Sequence, residues 1–131
     1  MKSKNLPRPT ETELEILRVL WKHGPSTVRQ VHQILNRERE SEVGYSTTLK
    51  MFQVMTQKGL VERDETVRPQ IYSPRVPQEQ TQKQLVKDLL KRAFGGSPRQ
   101  LVMHALSAEE ASNEELEQLE KLLDKFEEKK K

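Results

Sequence analysis

A chain of 131 residues, one third charged and with no cysteine, supports one compact domain or two small ones, and excludes disulfides, thiolate metal sites and cysteine nucleophiles. The formal net charge of +3 is unevenly spread: residues 1–76 hold 13 Lys and Arg against 9 Asp and Glu, and residues 77–131 hold 10 against 11. The basic half points to a polyanionic partner and the near-neutral half to a different task.

Only 33% of the residues are hydrophobic, thin for a self-sufficient monomer, so some apolar surface is expected to be covered by a partner. The opening MKSKNLPRPT has no apolar run, so no signal peptide is expected. No stretch approaches the ~20 apolar residues that span a membrane. The expected location is the cytoplasm.

In chain order, Thr10 and Glu13 have the spacing of a capping box, which opens a first helix. Leu14, Leu17 and Trp21 follow at helical spacing, flanked by Ile16 and Leu20, and Gly24-Pro25 ends the helix. Trp21 reads as a core anchor. Ser26 or Thr27 caps a second helix, whose apolar stripe is Val28, Val31, Ile34 and Leu35. The charged segment Arg37 to Gly44 reads as a loop.

The third helix starts after Gly44 and stops at Gly59. Its Thr48, Met51, Phe52 and Met55 stand at i, i+3, i+4 and i+7 and face a core. The opposite face carries Ser46, Lys50, Gln53 and Gln57, and there is no acidic residue between Gly44 and Val61. Two β-prone runs follow, Leu60–Arg63 and Gln70–Ser73, with a hairpin tip between Asp64 and Pro69.

Three short helices and a hairpin are the order of a winged helix-turn-helix, whose third helix lies in the DNA major groove. A helix facing base edges needs short or flexible donors and acceptors, and carboxylates there would be repelled by phosphate. Ser46, Lys50 and Gln53 are therefore the expected base-facing residues, with Arg29 and Arg68 on phosphates. The bland alternative is an ordinary solvated face that happens to lack acids.

The second half reads as helix throughout. Leu85, Val86, Leu89 and Leu90 lie on a helix from Pro77 to Phe94, which Gly95-Gly96 ends. Ser97-Pro98 opens a short helix with Leu101, Val102 and Ala105. Ser112 and Glu115 form another capping box, and Leu116, Leu119, Leu123 and Phe126 then repeat at the spacing of an a/d seam. A second copy of the chain is the simplest cover for that seam, and an intramolecular three-helix bundle is the alternative. The expected homodimer interface is Leu85, Leu89, Leu101, Leu116, Leu119, Leu123 and Phe126.

The expected fold is thus mainly α with a small β-hairpin: a winged helix-turn-helix domain over residues 1–76 and an α-helical dimerisation domain over residues 77–131. His23, His32 and His104 show no ligand spacing, so no metal site is expected, and no cofactor-binding motif is present. No nucleophile, base and orienting group come together, so an enzyme is not expected. The rival to a DNA-binding repressor is a winged-helix module for protein–protein assembly.

Four stretches carry a family likeness: ELEILRVLWKHGP, YSTTLKMFQVMTQKGLVER, IYSP and LLKRAFGGSPRQLV. With them the chain resembles the penicillinase-repressor family of winged-helix transcriptional regulators, which includes methicillin-resistance and copper-responsive repressors. The resemblance implies a dimer on a palindromic operator. It puts Thr47 where relatives have a DNA-facing threonine, Lys50 where many have another threonine, and Val54 where arginine is frequent. The cysteine-rich metal hook of the copper-responsive branch is excluded by composition. In antibiotic-responsive relatives a membrane-bound sensor leads to cutting of the repressor in its dimerisation half. The matching bond here lies near His104-Ala105, which differs from the Asn-Phe pair of those relatives.

Overall fold

The computed structural model describes residues 7–38, 42–108 and 112–130, and the side chains up to 125 in the last helix. It contains six helices and three short strands in the order α1 (Glu11–His23), β1 (Ser26–Thr27), α2 (Val28–Glu38), α3 (Tyr45–Lys58), β2 (Val61–Asp64), β3 (Ile71–Pro74), α4 (Gln78–Ala93), α5 (Pro98–Ala108) and α6 (Asn113–Lys130). Two compact units divide between Leu85 and Val86. The first unit therefore runs past the Val76 boundary expected from composition. The early part of α4 lies in that unit, where Thr81 is fully buried and its hydroxyl donates to the Pro77 carbonyl one turn back at 2.8 Å.

Helix α1 starts at the expected capping box. The Thr10 hydroxyl accepts from the Glu13 amide at 3.2 Å, and the Glu13 carboxylate accepts from the Thr10 amide at 2.9 Å. Gly24 ends α1 with a φ of 84°, a conformation that favours glycine, and its N–H bonds the Leu20 carbonyl. The buried face of α1 is Glu13, Ile16, Leu17, Val19 and Leu20. Leu14, expected on that stripe, is only half-buried. Spacing alone misplaced the centre of the stripe because it could not see that a carboxylate occupies the core-facing position one turn before Leu17.

That carboxylate is paired. Lys58, the last residue of α3, donates to Glu13 Oε1 at 2.6 Å and so ties the end of the third helix to the start of the first. Burial pushes the Glu13 carboxyl up. The Lys58 hydrogen bond and charge, with the Thr10 bonds, outweigh it and hold the group below its ordinary value. A carboxyl depressed by folding contributes stability above its unfolded pKa and loses it as pH falls through the folded one. The first unit is therefore expected to weaken on acidification below the ordinary glutamate value of about 4.3. Glu13→Gln should flatten that part of the profile in urea titrations run across acid pH. An unchanged pH dependence would rule out this linkage.

Ser26 and Thr27 do two jobs. Thr27 caps α2, exchanging side-chain and backbone hydrogen bonds with Gln30 at 2.9 and 3.1 Å. The same two residues pair with Tyr72 and Ile71, adding a third strand to the expected hairpin. The sheet order is β1-β3-β2, all antiparallel.

Both hairpin strands begin one residue later than the sequence reading placed them. Leu60 is still part of the α3 stop signal, its N–H reaching back to the Met55 carbonyl at 2.9 Å, so pairing begins at Val61. At the far end, the Asp64 carboxylate turns the chain by accepting from the Thr66 amide and hydroxyl. These bonds hold the Asp64 carboxyl below its usual range.

The core joins Ile16, Leu17 and Leu20 of α1, Val31 and Leu35 of α2, and Phe52 and Met55 of α3 with Leu60, Val61 and Tyr72 around the sheet. Phe52 and Tyr72 meet with ring centroids 4.7 Å apart. Trp21 packs against this cluster while its indole N–H donates to the Val76 carbonyl at 3.0 Å, which anchors the chain as it leaves the sheet.

In the second unit, by contrast, no described side chain is buried. Val86, Leu89, Met103, Leu106, Leu116, Leu122 and Leu123 are all exposed. Three amphipathic helical segments thus present apolar faces with no core of their own.

Candidate nucleic-acid interface

Helix α3 splits into two faces as its periodicity dictates. Thr48, Phe52 and Met55 are buried, and Ser46, Thr47, Lys50, Gln53 and Gln57 are exposed. No carboxylate lies anywhere on this helix, and Lys58 is taken up by Glu13. The exposed face therefore offers hydroxyls, amides and one ammonium to whatever it meets. Val54 is exposed beside Gln53 and supplies neither charge nor hydrogen bond.

The turn into α3 is held by side chains of α2. Asn36 accepts from the Val43 amide at 3.1 Å and donates to the Val43 carbonyl at 3.2 Å. Its amide nitrogen also lies 3.2 Å from His32 Nε2, and His32 Nδ1 lies 3.1 Å from the buried Thr48 hydroxyl. Because both Val43 bonds fix which end of the Asn36 amide is the donor, Nε2 accepts and Nδ1 donates to Thr48. The Thr48 hydroxyl in turn reaches the Gly44 carbonyl. One imidazole thus ties the second helix, the turn and the first full turn of the third.

Tyr45, the first residue of α3, is 39% exposed and adds an aromatic contact to this turn. Its ring meets His32 edge to face, with centroids 5.4 Å apart and planes at 87°. The Arg29 guanidinium carbon sits over the same ring, 5.1 Å from the centroid. Arg29 and Tyr45 line a cleft of about 320 Å³ with Leu49 of α3 and with Pro69 and Gln70 of the hairpin.

At the hairpin, Arg63 pairs with Glu65 at 3.5 Å and Arg75 with Glu62 at 3.7 Å. Arg68 is exposed at the tip and, among the described residues, makes no ion pair. Its peptide bond to Pro69 is cis. The wing therefore neutralises two of its own cations and leaves this one to solvent.

The sequence reading named the polar face, Arg29 and Arg68, and did not name Tyr45, the His32–Asn36 network or the Lys58 tie. A signal was present. Arg29 and His32 lie one turn apart on α2, and a tyrosine opens α3. Which residues meet across the loop depends on how the two helices cross, and spacing along either one does not give that.

Of the expected dimer residues, Leu89, Leu116 and Leu123 are exposed, while Leu85, Leu101 and Leu119 are half-buried. Phe126 lies outside the described side chains. His104 and Ala105 are exposed within α5, and the His104 ring stands 5.6 Å from that of Phe94. Among the described residues, no three His, Asp or Glu gather as a metal site would require, and no helix is long and apolar enough to cross a membrane.

The sequence model of the family described as "Penicillinase repressor" matches residues 9–125. The chain belongs to the penicillinase repressor family. This membership extends across both structural units, and the family's name implies a regulatory rather than an enzymatic role. Two members named "Penicillinase repressor" are similar to it. The one from Bacillus licheniformis is 24% identical over 98% of each chain. The one from Staphylococcus aureus is 22% identical over 85% of this chain and 86% of its own. The solution structure of the Bacillus licheniformis BlaI monomeric form in complex with the blaP half-operator is also similar. It is 23% identical, covers 57% of this chain and 89% of its own, and has a TM-score of 0.49.

Proposed function

We propose that this chain is a dimeric, sequence-specific DNA-binding transcriptional repressor acting on a palindromic operator. The observation that carries the reading is the exposed, carboxylate-free face of α3 on a winged-helix scaffold in a member of the penicillinase repressor family. Ser46, Thr47, Lys50 and Gln53 approach base edges in the major groove. Arg29, from the start of α2, and Arg68, from the wing tip, meet phosphates. A second copy covers the apolar faces of α4, α5 and α6, and two-fold symmetry then presents two α3 helices to two half-sites. Cutting near His104-Ala105 would sever that linkage without touching the α3 face, which makes it a workable route of release.

Operator titration at several salt concentrations, against competitor DNA, tests the reading. Phosphate contacts release counterions, so affinity is expected to fall steeply with salt. Arg68→Ala should weaken binding to every sequence and make the salt slope shallower by ~1. Gln53→Ala should leave the slope alone and cost roughly 1–3 kcal/mol of discrimination between operator and random DNA if its amide pairs with one base. Equal losses on both DNAs would remove Gln53 from base readout. Salt-independent binding, or none, would favour a protein–protein assembly module instead.

A further inference from the structure

We propose that Tyr45 is a positioning residue of the DNA interface: its ring carries the Arg29 guanidinium and so sets where that cation meets a phosphate. The inference rests on the DNA-binding reading above. An arginine on an exposed helix has many rotamers, and holding one for a phosphate costs entropy at the moment of binding. Here the free protein already restricts it, because the guanidinium sits over an aromatic face at 5.1 Å. The face is itself fixed. His32 meets the Tyr45 ring at 87° from the same side of α2, one turn beyond Arg29, and cannot rotate without giving up Thr48 and Asn36. The line of constraint runs from Val43 through Asn36 and His32 to Tyr45 and ends on Arg29. It delivers the cation to the cleft between α3 and the wing.

The geometry separates two kinds of tyrosine. A tyrosine that touched DNA itself would matter whether or not Arg29 were present. A tyrosine acting through Arg29 loses its effect once the guanidinium is gone. Losing a cation–π contact at an exposed site that is already made in the free protein can lower affinity by at most about two- to five-fold. Lost at both half-sites of a dimer, that limit compounds to at most about 4- to 25-fold.

The experiment is a double-mutant cycle on operator binding by the full-length protein, with NMR of the Arg29 side chain in the free protein. Tyr45→Phe keeps the ring and is expected to bind within about two-fold of the parent, since only the hydroxyl is lost. Tyr45→Leu is expected to show the compounded loss, and no further loss when Arg29→Ala is already present. The Arg29 side-chain protons are expected upfield, under the ring, in the parent and Tyr45→Phe and at their free positions in Tyr45→Leu. Parent protons without an upfield shift overturn the proposal, as does a Tyr45→Leu loss of equal size with and without Arg29. A parent protein that binds no operator overturns the DNA-binding reading and this one together. A parent that binds, with Tyr45→Leu unimpaired, overturns this one alone. Should Tyr45→Leu fail to fold, Arg29→Lys decides from the other side. It keeps the charge and gives up the planar stack, so weaker binding is expected and undiminished binding refutes the proposal.

Discussion

Leu119→Asp is expected to yield monomers whose operator affinity falls by about 10²–10⁴-fold, the advantage that linkage gives two half-site contacts. The reason lies in the second unit. Leu116, Leu122 and Leu123 of α6 stand exposed, and fully covering each such side chain is worth about 1.5–3 kcal/mol. Among the described seam residues Leu119 is the least exposed, and it sits between Leu116 and Leu123. A carboxylate there would have to be desolvated against leucines with no partner, which is strongly unfavourable. The first unit has its own core and should remain folded. Sedimentation that finds an undisturbed dimer would reject the seam, and loss of the first unit's cooperative unfolding would mean that the two units are not independent.

Phe52→Ala is expected to destabilise the first unit by about 3–5 kcal/mol, a large part of the roughly 5–15 kcal/mol that holds a typical domain. Phe52 is completely buried at the centre of α3 and packs on Tyr72 of the sheet. Removing its ring would leave a cavity where the third helix rests on the strands. The polar face carrying Gln53 shares that backbone, so DNA binding is expected to be lost with the fold rather than through any lost contact. Urea unfolding followed by the fluorescence of Trp21, the single tryptophan, reads the first unit directly. Phe52→Leu, which keeps most of the apolar volume, is expected to lose much less. A Phe52→Ala midpoint close to the parent's would show that this core packs loosely enough to collapse around the gap.

The sequence by itself determined the order of the helices and the hairpin, the Thr10–Glu13 cap, the stop at Gly59 and the polar face of α3. All of these follow from interactions within a few residues, or from the 3.6-residue repeat, and both are written along the chain. It also determined that α6 carries an apolar seam, since Leu116, Leu119 and Leu123 repeat whatever they pack against. Only the tertiary structure decided where Glu13 lies. Its partner Lys58 is 45 positions away, and a glutamate at helical spacing looks solvated until that lysine is brought to it. The third strand has the same origin. Ser26 and Thr27 read as a cap, and become a strand because Tyr72 and Ile71 arrive beside them. The Arg29–Tyr45–His32 stack needs two helices crossing at one particular angle, with Val43 held by Asn36 to set the turn. Short-range order is a property of spacing, whereas these contacts exist only once the hydrophobic core has fixed the relative positions of α1, α2, α3 and the sheet.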